Sequence, residues 1–269
     1  MVPKKWITFT TDYGLENKFV GVCHGVMAKI APESRVLDVT HLVPRGDIKH
    51  GAEIFRQAIP YLPDGVHVAV VDPGVGTARK PVVLVVGEQL FVGPDNGMLL
   101  RAADELGGVD AAYDISNPDY RLIDVSSTFH GRDIFAPAGA YLAAGVSPAE
   151  FGPPIPVDDL IRIPQPARSF DGAVFQGEVL IEDRFGNLQT SLDSEFLESN
   201  GARLGATLEV STESNRYNIP YVETFGSVGE GELLAHVDSA DRLALAVNLG
   251  SASRTLGLHE GGSFTLRVA

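Results

Sequence analysis

The stretch Val66–Val86, VHVAVVDPGVGTARKPVVLVV, decides the fold. Val66–Val71 and Val82–Val86 are continuous apolar runs rather than alternating ones, the pattern of strands in a sheet covered on both faces. Upstream, Lys5–Thr10 reads as a strand. Lys18–Ile30 reads as a helix, with Val20, Val22, Val26, Met27 and Ile30 near helical spacing and Pro32 beyond its end. Arg35–Val39 is a further strand. Asp47 can cap a helix running to about Leu62, with Ile48, Ala52, Phe55 and Ile59 on one face. Downstream, Gly97–Glu105 and Arg132–Ala144 are helical patterns, followed by Gly107 and Gly145 where helix ends favour glycine. Strands alternating with helices predict an α/β domain, a mostly parallel sheet with flanking helices.

The composition changes between Pro148 and Pro166, where six prolines fall. This segment, taken as 148–168, reads as a linker. Beyond it the helical signal fades. Ala173–Ile181, Gln189–Leu192, Thr207–Val210, Glu232–Val237, Leu243–Val247 and Ser263–Val268 are strand-like and separated by Gly, Asn, Asp and Ser. The expectation is two domains: α/β over 1–160, and a smaller all-β, barrel-like one over 170–269.

The net charge of −14 repels phosphate backbones, which argues against a nucleic-acid partner. The single cysteine, Cys23, permits no intrachain disulfide and lies in a helical pattern as a small apolar residue. The lysines near the N-terminus lead into no apolar run, so no signal peptide is expected. No segment approaches the ~20 apolar residues of a membrane span. The expected compartment is the cytoplasm. The seven histidines show no paired ligand spacing, so no metal site is expected. No Gly-Lys-Ser/Thr P-loop, G-x-G-x-x-G or G-x-S-x-G motif is present.

Polar clusters stand at the ends of the expected strands, where α/β sheets place ligands. In Thr10-Thr11-Asp12-Tyr13-Gly14 the Asp12 carboxylate can take both hydroxyls of a ribose; as a plain turn it would only cap the next helix. In Asp72–Arg79 the glycines allow close backbone approach, and Asp72 and Arg79 can meet as a charge-assisted pair, whether at a site or as a surface salt bridge. Gly93-Pro94-Asp95-Asn96-Gly97 reads as a helix start. Ser127-Thr128-Phe129-His130-Gly131-Arg132-Asp133 sets a histidine suited to proton handling beside a charged pair at a helix start. Glu182–Asn187 and Asp238–Asn248, each taken alone, read as a hairpin turn and an ordinary strand pair.

Taken in order, FTTDYG, VVDPGVGTAR, GPDNG, STFHGRD, DRFGN and DSADRLALAVNLGSA make the chain resemble the S-adenosyl-L-methionine hydroxide adenosyltransferases, relatives of the S-adenosyl-L-methionine-dependent fluorinases and chlorinases. The resemblance runs from Thr10 to about Ala252. It implies an N-terminal α/β domain, a C-terminal β-barrel-like domain, and a homotrimer. Substrate would lie between the first domain of one subunit and the second domain of the next. It implies a water-handling set at Asp72, Arg79 and His130, and a ribose carboxylate at Asp12. Adenine and methionine contacts would fall on Asp183, Phe185, Asn187, Ser239 and the backbone from Val247 to Leu249. Phe129 and Phe185 would line the pocket and exclude bulk water.

Two departures bear on the reading. Gly131 stands where the halogenating relatives build a halide pocket, and a glycine leaves space there. Ala240 follows Ser239, where those relatives carry an arginine for the methionine carboxylate. The implied reaction is hydrolysis of S-adenosyl-L-methionine to adenosine and L-methionine, with no cofactor and no metal. The alternatives are a halogenase, opposed by a carboxylate at position 72, and a non-catalytic binder of S-adenosyl-L-methionine or adenosine.

Overall fold

In the computed structural model, which describes residues 2–213 and 215–269, the chain up to Ile163 forms one unit and Pro164–Ala269 a second. The first contains strands β1 (Trp6–Thr11), β2 (Arg35–Thr40), β3 (Val66–Val70), β4 (Pro81–Val86), β5 (Gln89–Pro94), β6 (Ala111–Asp114) and β7 (Pro154–Ile155), in the sheet order β2-β1-β3-β5-β4-β6-β7. Its helices are α1 (Phe19–Ile30), α2 (Ile48–Ala58), α3 (Met98–Glu105) and α4 (Ala136–Ala143).

The continuous apolar run is explained by the position of β3 between β1 and β5, where all five of its residues are buried. Successive side chains leave opposite faces. Val66, Val68 and Val70 pack with Cys23 and Met27 of α1 and Ala138 and Leu142 of α4. Ala69 and Val71 pack with Ala52 and Phe55 of α2 and Leu99 and Ala102 of α3. Fully burying one such valine is worth about 1.5–3 kcal/mol. Cys23 is part of this core, and burial pushes its thiol up to about 12. Asp47 caps α2 as its sequence suggests, accepting from the His50 N–H at 2.9 Å.

The expectation of a mostly parallel sheet needs correction. β2, β1, β3 and β5 run parallel, but β5, β4, β6 and β7 pair antiparallel. The cause is the two-residue turn Gly87-Glu88, with Gly87 at φ +55°, which reverses β4 directly into β5. The parallel half nevertheless brings the C-terminal ends of β1 and β3 to one edge, so Asp12 and Asp72 leave the sheet side by side. The proline-dense segment is largely built into this unit: Pro154–Ile155 pairs with β6, and the Asp95 carboxylate accepts from the Ile161 N–H at 2.9 Å.

The second unit holds β8 (Arg168–Phe170), β9 (Phe175–Glu182), β10 (Leu188–Asp193), β11 (Thr207–Ser211), β12 (Arg216–Pro220), β13 (Leu233–Val237), β14 (Arg242–Val247) and β15 (Ser263–Val268), with short helices α5 (Ser194–Ser199) and α6 (Ala252–Leu256). The strands pair antiparallel in the order β12-β11-β15-β9-β10-β14-β13, and β8 joins β9. A bridge from Tyr221, just past β12, to Ala235 on β13 links the two ends of the series, so the sheet is a nearly closed barrel. Leu188, Leu208, Leu243, Leu245 and Leu266 lie in its core. Among the described residues, no helix is long and apolar enough to cross a membrane.

His67 on β3 yields a pH prediction. Its ring is fully buried between the Thr8 hydroxyl (Nδ1, 2.8 Å) and the Gln89 side-chain oxygen (Nε2, 2.8 Å), and burial lowers its pKa to about 4. An amide oxygen only accepts, so Nε2 carries the proton and the ring is neutral. Above pH 6.5 the neutral ring suits both folded and unfolded chains, and its stability contribution is complete. As pH falls from 6.5 towards about 4, only the unfolded chain gains the proton, so stability drops by on the order of 3 kcal/mol. Denaturant unfolding at pH 7 and pH 5 should show part of this loss in the native chain, and a flatter dependence in His67→Gln. Equal pH dependence in the two would refute the assignment.

Candidate active site

β3 ends at Val70, and the chain beyond Val71 folds into consecutive turns: the Val75 N–H bonds the Asp72 carbonyl, and the Thr77 N–H bonds that of Gly74. The turns bring Arg79 back onto Asp72. Arg79 Nε donates to both carboxylate oxygens at 3.0 Å, and Nη2 donates to Oδ2 at 2.5 Å. Both side chains are about nine-tenths buried, at 9% and 7% exposure, so this is no surface salt bridge. The guanidinium also lies 5.1 Å from the Phe135 ring centroid.

His130 completes the cluster. Arg79 Nη2 donates to His130 Nδ1 at 2.7 Å. Arginine has only donors, so Nδ1 must present a lone pair and the neutral ring carries its proton on Nε2. Burial and the adjacent Arg79 charge hold the imidazole below its ordinary pKa, against the opposing effect of Asp72. The contact depends on Gly76, which has φ +78°. A Cβ there would stand 2.5 Å from the Ser127 carbonyl oxygen, so glycine lets the two loops meet.

His130 stands at the start of a π-helical turn, Gly131–Phe135, leading into α4. The loop before it is anchored by Asp133, fully buried, which accepts from Arg132 Nε at 2.6 Å and from the Ser126 N–H at 2.8 Å. Burial pushes the Asp133 carboxyl up, but these bonds outweigh it and hold it below the ordinary range. Phe129 packs edge-on against Tyr13 and Phe19, at centroid distances of 5.6 and 5.0 Å. The space expected at Gly131 is filled: a Cβ there would collide with the Tyr13 hydroxyl.

Asp12 lies one loop away. Its Oδ2 accepts from the Gly46 N–H at 2.8 Å. Burial raises its pKa, with the Asp72 charge adding to the rise against the Gly46 bond and Arg45. In the GPDNG segment, Asn96 Nδ2 donates to the Val71 carbonyl at 2.8 Å, and its Oδ1 accepts from the Met98 N–H at 3.2 Å. Asn96 therefore opens α3 and pins the backbone next to Asp72. Phe135, Asp133 and Asn96 were not singled out as site residues from sequence; the only local signals were the helix-start patterns that contain the latter two.

In the second unit, Asp183 organises its own turn. It accepts from the Phe185 N–H (2.8 Å), the Asn187 N–H (3.0 Å) and the Asn187 side-chain amide (2.8 Å). The last bond fixes the Asn187 amide and leaves its oxygen as the free acceptor. Phe185 is 61% exposed, with the Arg184 guanidinium 4.6 Å from its ring centroid. The Gly186 carbonyl accepts from the Ser253 N–H at 3.0 Å, which seats this turn on the segment after β14. That segment contains Val247, buried at the end of β14, and Leu249, 82% exposed in a left-handed conformation at φ +56°. Ser239 is exposed in the turn organised by Asp238, whose Oδ1 accepts from the Ala240 and Arg242 N–H groups.

Residues 7–152 match the SAM hydroxide adenosyltransferase N-terminal domain, and residues 177–265 match the C-terminal domain of the same description. A protein of Salinispora tropica named (R)-S-adenosyl-L-methionine hydrolase is 51% identical, with 97% of each chain covered. One of the same name from Salinispora arenicola is 49% identical, again over 97% of each. A fluorinase of an Actinoplanes species is 28% identical, covering 98% of this chain and 97% of its own. The crystal structure of an uncharacterized conserved protein from Thermotoga maritima superposes with a TM-score of 0.90 at 35% identity, covering 97% of this chain and 99% of that one.

Two measurements test the geometry. In a histidine NMR titration, His130 should titrate below 6.5, and Arg79→Met should raise its pKa; a native value above 6.5 would contradict the neutral Nε2–H ring. Gly76→Ala should disrupt the 72–79 loop, costing about 1–3 kcal/mol of stability from the left-handed backbone alone. An unfolding curve matching the native one would show that the two loops do not need this approach.

Proposed function

The chain belongs to the SAM hydroxide adenosyltransferase family, and from that premise we propose that it hydrolyses S-adenosyl-L-methionine to adenosine and L-methionine at the Asp72–Arg79–His130 cluster. The observation that carries the reading is the contiguous set at the end of β3, a buried carboxylate–guanidinium pair with a half-buried imidazole bonded to it. The oxygen of water forms a bond to C5′ while the C5′–S bond breaks. The bonding pair goes to sulfur, methionine leaves as a neutral thioether, and one proton is released. Because the sulfonium leaves without help, the reading calls for no general acid, cofactor or metal at the reacting carbon.

Water is the weak partner, so the site must deprotonate it and hold it in line, about 3–3.5 Å from C5′. Arg79 stays protonated and stabilises developing hydroxide. Asp72, its carboxylate already oriented by Arg79, takes the proton, and His130 serves its passage outward. Asp12 takes the ribose hydroxyls, and Phe129 shields the reacting carbon from bulk water. The Asp72 charge opposes halide binding, and the Tyr13 hydroxyl occupies the space beside Gly131, so the halogenase alternative loses its anion pocket.

In the second unit, the free Asn187 oxygen suits an adenine amino group. Asp183 is a positioning residue for that amide, Phe185 offers a face to the base, and Ser239 with the backbone from Val247 to Leu249 completes the adenine and methionine contacts. The reading includes a cytoplasmic homotrimer in which the first unit of one subunit and the second unit of its neighbour share a substrate.

Incubation in ¹⁸O-water should place the label in adenosine, and label found only in bulk solvent would reject hydrolysis at C5′. Asp72→Ala, Arg79→Ala and His130→Ala should each lower kcat by about 10²–10⁴-fold with little change in substrate affinity, and Asp72→Ala/His130→Ala should lose little more than the worse single variant. Near-normal turnover at saturating substrate in all three would remove the cluster from the mechanism. Mixed Asp72→Ala and Asn187→Ala chains should regain activity by forming intact shared sites; no recovery despite verified subunit exchange would reject the shared arrangement.

A further inference from the structure

The histidines that look scattered along the chain do not stay so in the fold. His24 on α1 and His41, just past β2, both bring Nε2 to the same oxygen, Asp38 Oδ1, at 2.8 and 3.0 Å. The three ligand atoms lie within 4.8 Å of one another. His41 is 3% exposed, and its Nε2 is buried without a hydrogen-bond partner: the Asp38 oxygen is near, but off the direction in which an N–H would point. An unsatisfied buried polar atom costs about 1–3 kcal/mol. The same offset suits two ligands of one ion. Ligands about 2.0–2.1 Å from a tetrahedral metal, separated by about 110° at the ion, stand about 3.4 Å apart, so an ion would replace the His24–Asp38 hydrogen bond and spread the 2.8 and 3.0 Å contacts by a few tenths of an ångström.

We propose that His24, Asp38 and His41 form a binding site for a divalent transition-metal ion of the zinc class. Two imidazoles and one carboxylate favour such an ion over magnesium or calcium, which take all-oxygen shells. Three protein ligands leave a fourth position for water, and the half-exposed His24 and Asp38 leave an entry path. The inner ligand is already braced: His41 Nδ1 is bonded to the Thr11 hydroxyl at 2.8 Å, the outer contact that orients a metal-binding imidazole. Phe9 closes the apolar side, 5.0 Å from the His41 ring and 6.1 Å from that of His24.

The site is tied to the loop that carries Asp12. Thr11 precedes Asp12, and the His41 carbonyl accepts from the Gly14 N–H at 2.8 Å. A bound ion would therefore clamp β2, α1 and the Asp12 loop together. It acts as a structural brace, apart from the reacting carbon, and its binding is measurable whether or not the chain is a hydrolase.

The test uses the purified full chain, stripped by chelator dialysis, with Zn(II) titrated by calorimetry and Co(II) followed by visible absorption. The expected result is one ion per chain. His24→Ala and Asp38→Ala should each weaken Zn(II) binding by at least about tenfold. His259→Ala, at an exposed histidine, should leave it unchanged. Both ligand variants alter partly exposed side chains and spare the buried His41, so folding is checked by thermal unfolding without metal. Absence of stoichiometric binding, or undiminished binding in a folded His24→Ala/Asp38→Ala chain, overturns the proposal.

Discussion

The buried pairing of Asp72 with Arg79 constrains the rest of the first unit. Removing two charges from water costs several kcal/mol each unless the partners are held in good geometry with their remaining hydrogen-bonding capacity met. Here the carboxylate takes three N–H contacts, while the guanidinium finds His130 and an aromatic face in Phe135. That arrangement needs both loops to be placed closely. Asn96 pins the backbone at Val71, Gly76 permits the approach to Ser127, and Asp133 holds the strand-to-helix segment that carries His130. Each of these residues acts on the site without being one of its three charged or titrating members.

The sheet explains why these loops converge. β1, β3 and β5 are parallel, so the chain leaves β1 and β3 at one edge, and Asp72 lies close enough for its charge to add to the burial that raises the Asp12 pKa. The antiparallel half uses the same edge: β4 starts there at Pro81, opposite Pro94 and directly after Arg79, and β6 ends there at Asp114, opposite Val82, before the chain runs on to His130. In the second unit the barrel plays a different part. Its strands are largely buried, while of the residues proposed to meet the substrate, Phe185 and Ser239 sit on exposed turns fixed by the Asp183 and Asp238 side chains and Leu249 sits exposed after β14.

A single-chain description leaves apolar side chains in water. Phe185 and Leu249 are exposed in the second unit, and Leu15, Leu42 and Ile123 in the first. Scattered singly, such residues are normal on a protein surface; Phe185 and Leu249 are also among those proposed to meet substrate.

The sequence by itself determined the identity of the elements and the set of polar clusters. Helical and strand periodicity are local properties, so Val66–Val71 announced a doubly covered strand, and Asp47 a cap, without any knowledge of neighbours. The glycine- and aspartate-rich segments were legible for the same reason, since turns need those residues where the chain reverses. Tertiary structure alone decided what meets what. Strand direction in β4 and β5 turned on one two-residue hairpin inside an apolar stretch whose periodicity is the same for either direction. Arg79 reaches His130 across 51 positions, and Tyr13 fills the gap at Gly131. His24, Asp38 and His41 converge only because α1 packs beside the edge strand β2. Such contacts depend on pairing partners far along the chain, and no local pattern of apolar and polar residues encodes them.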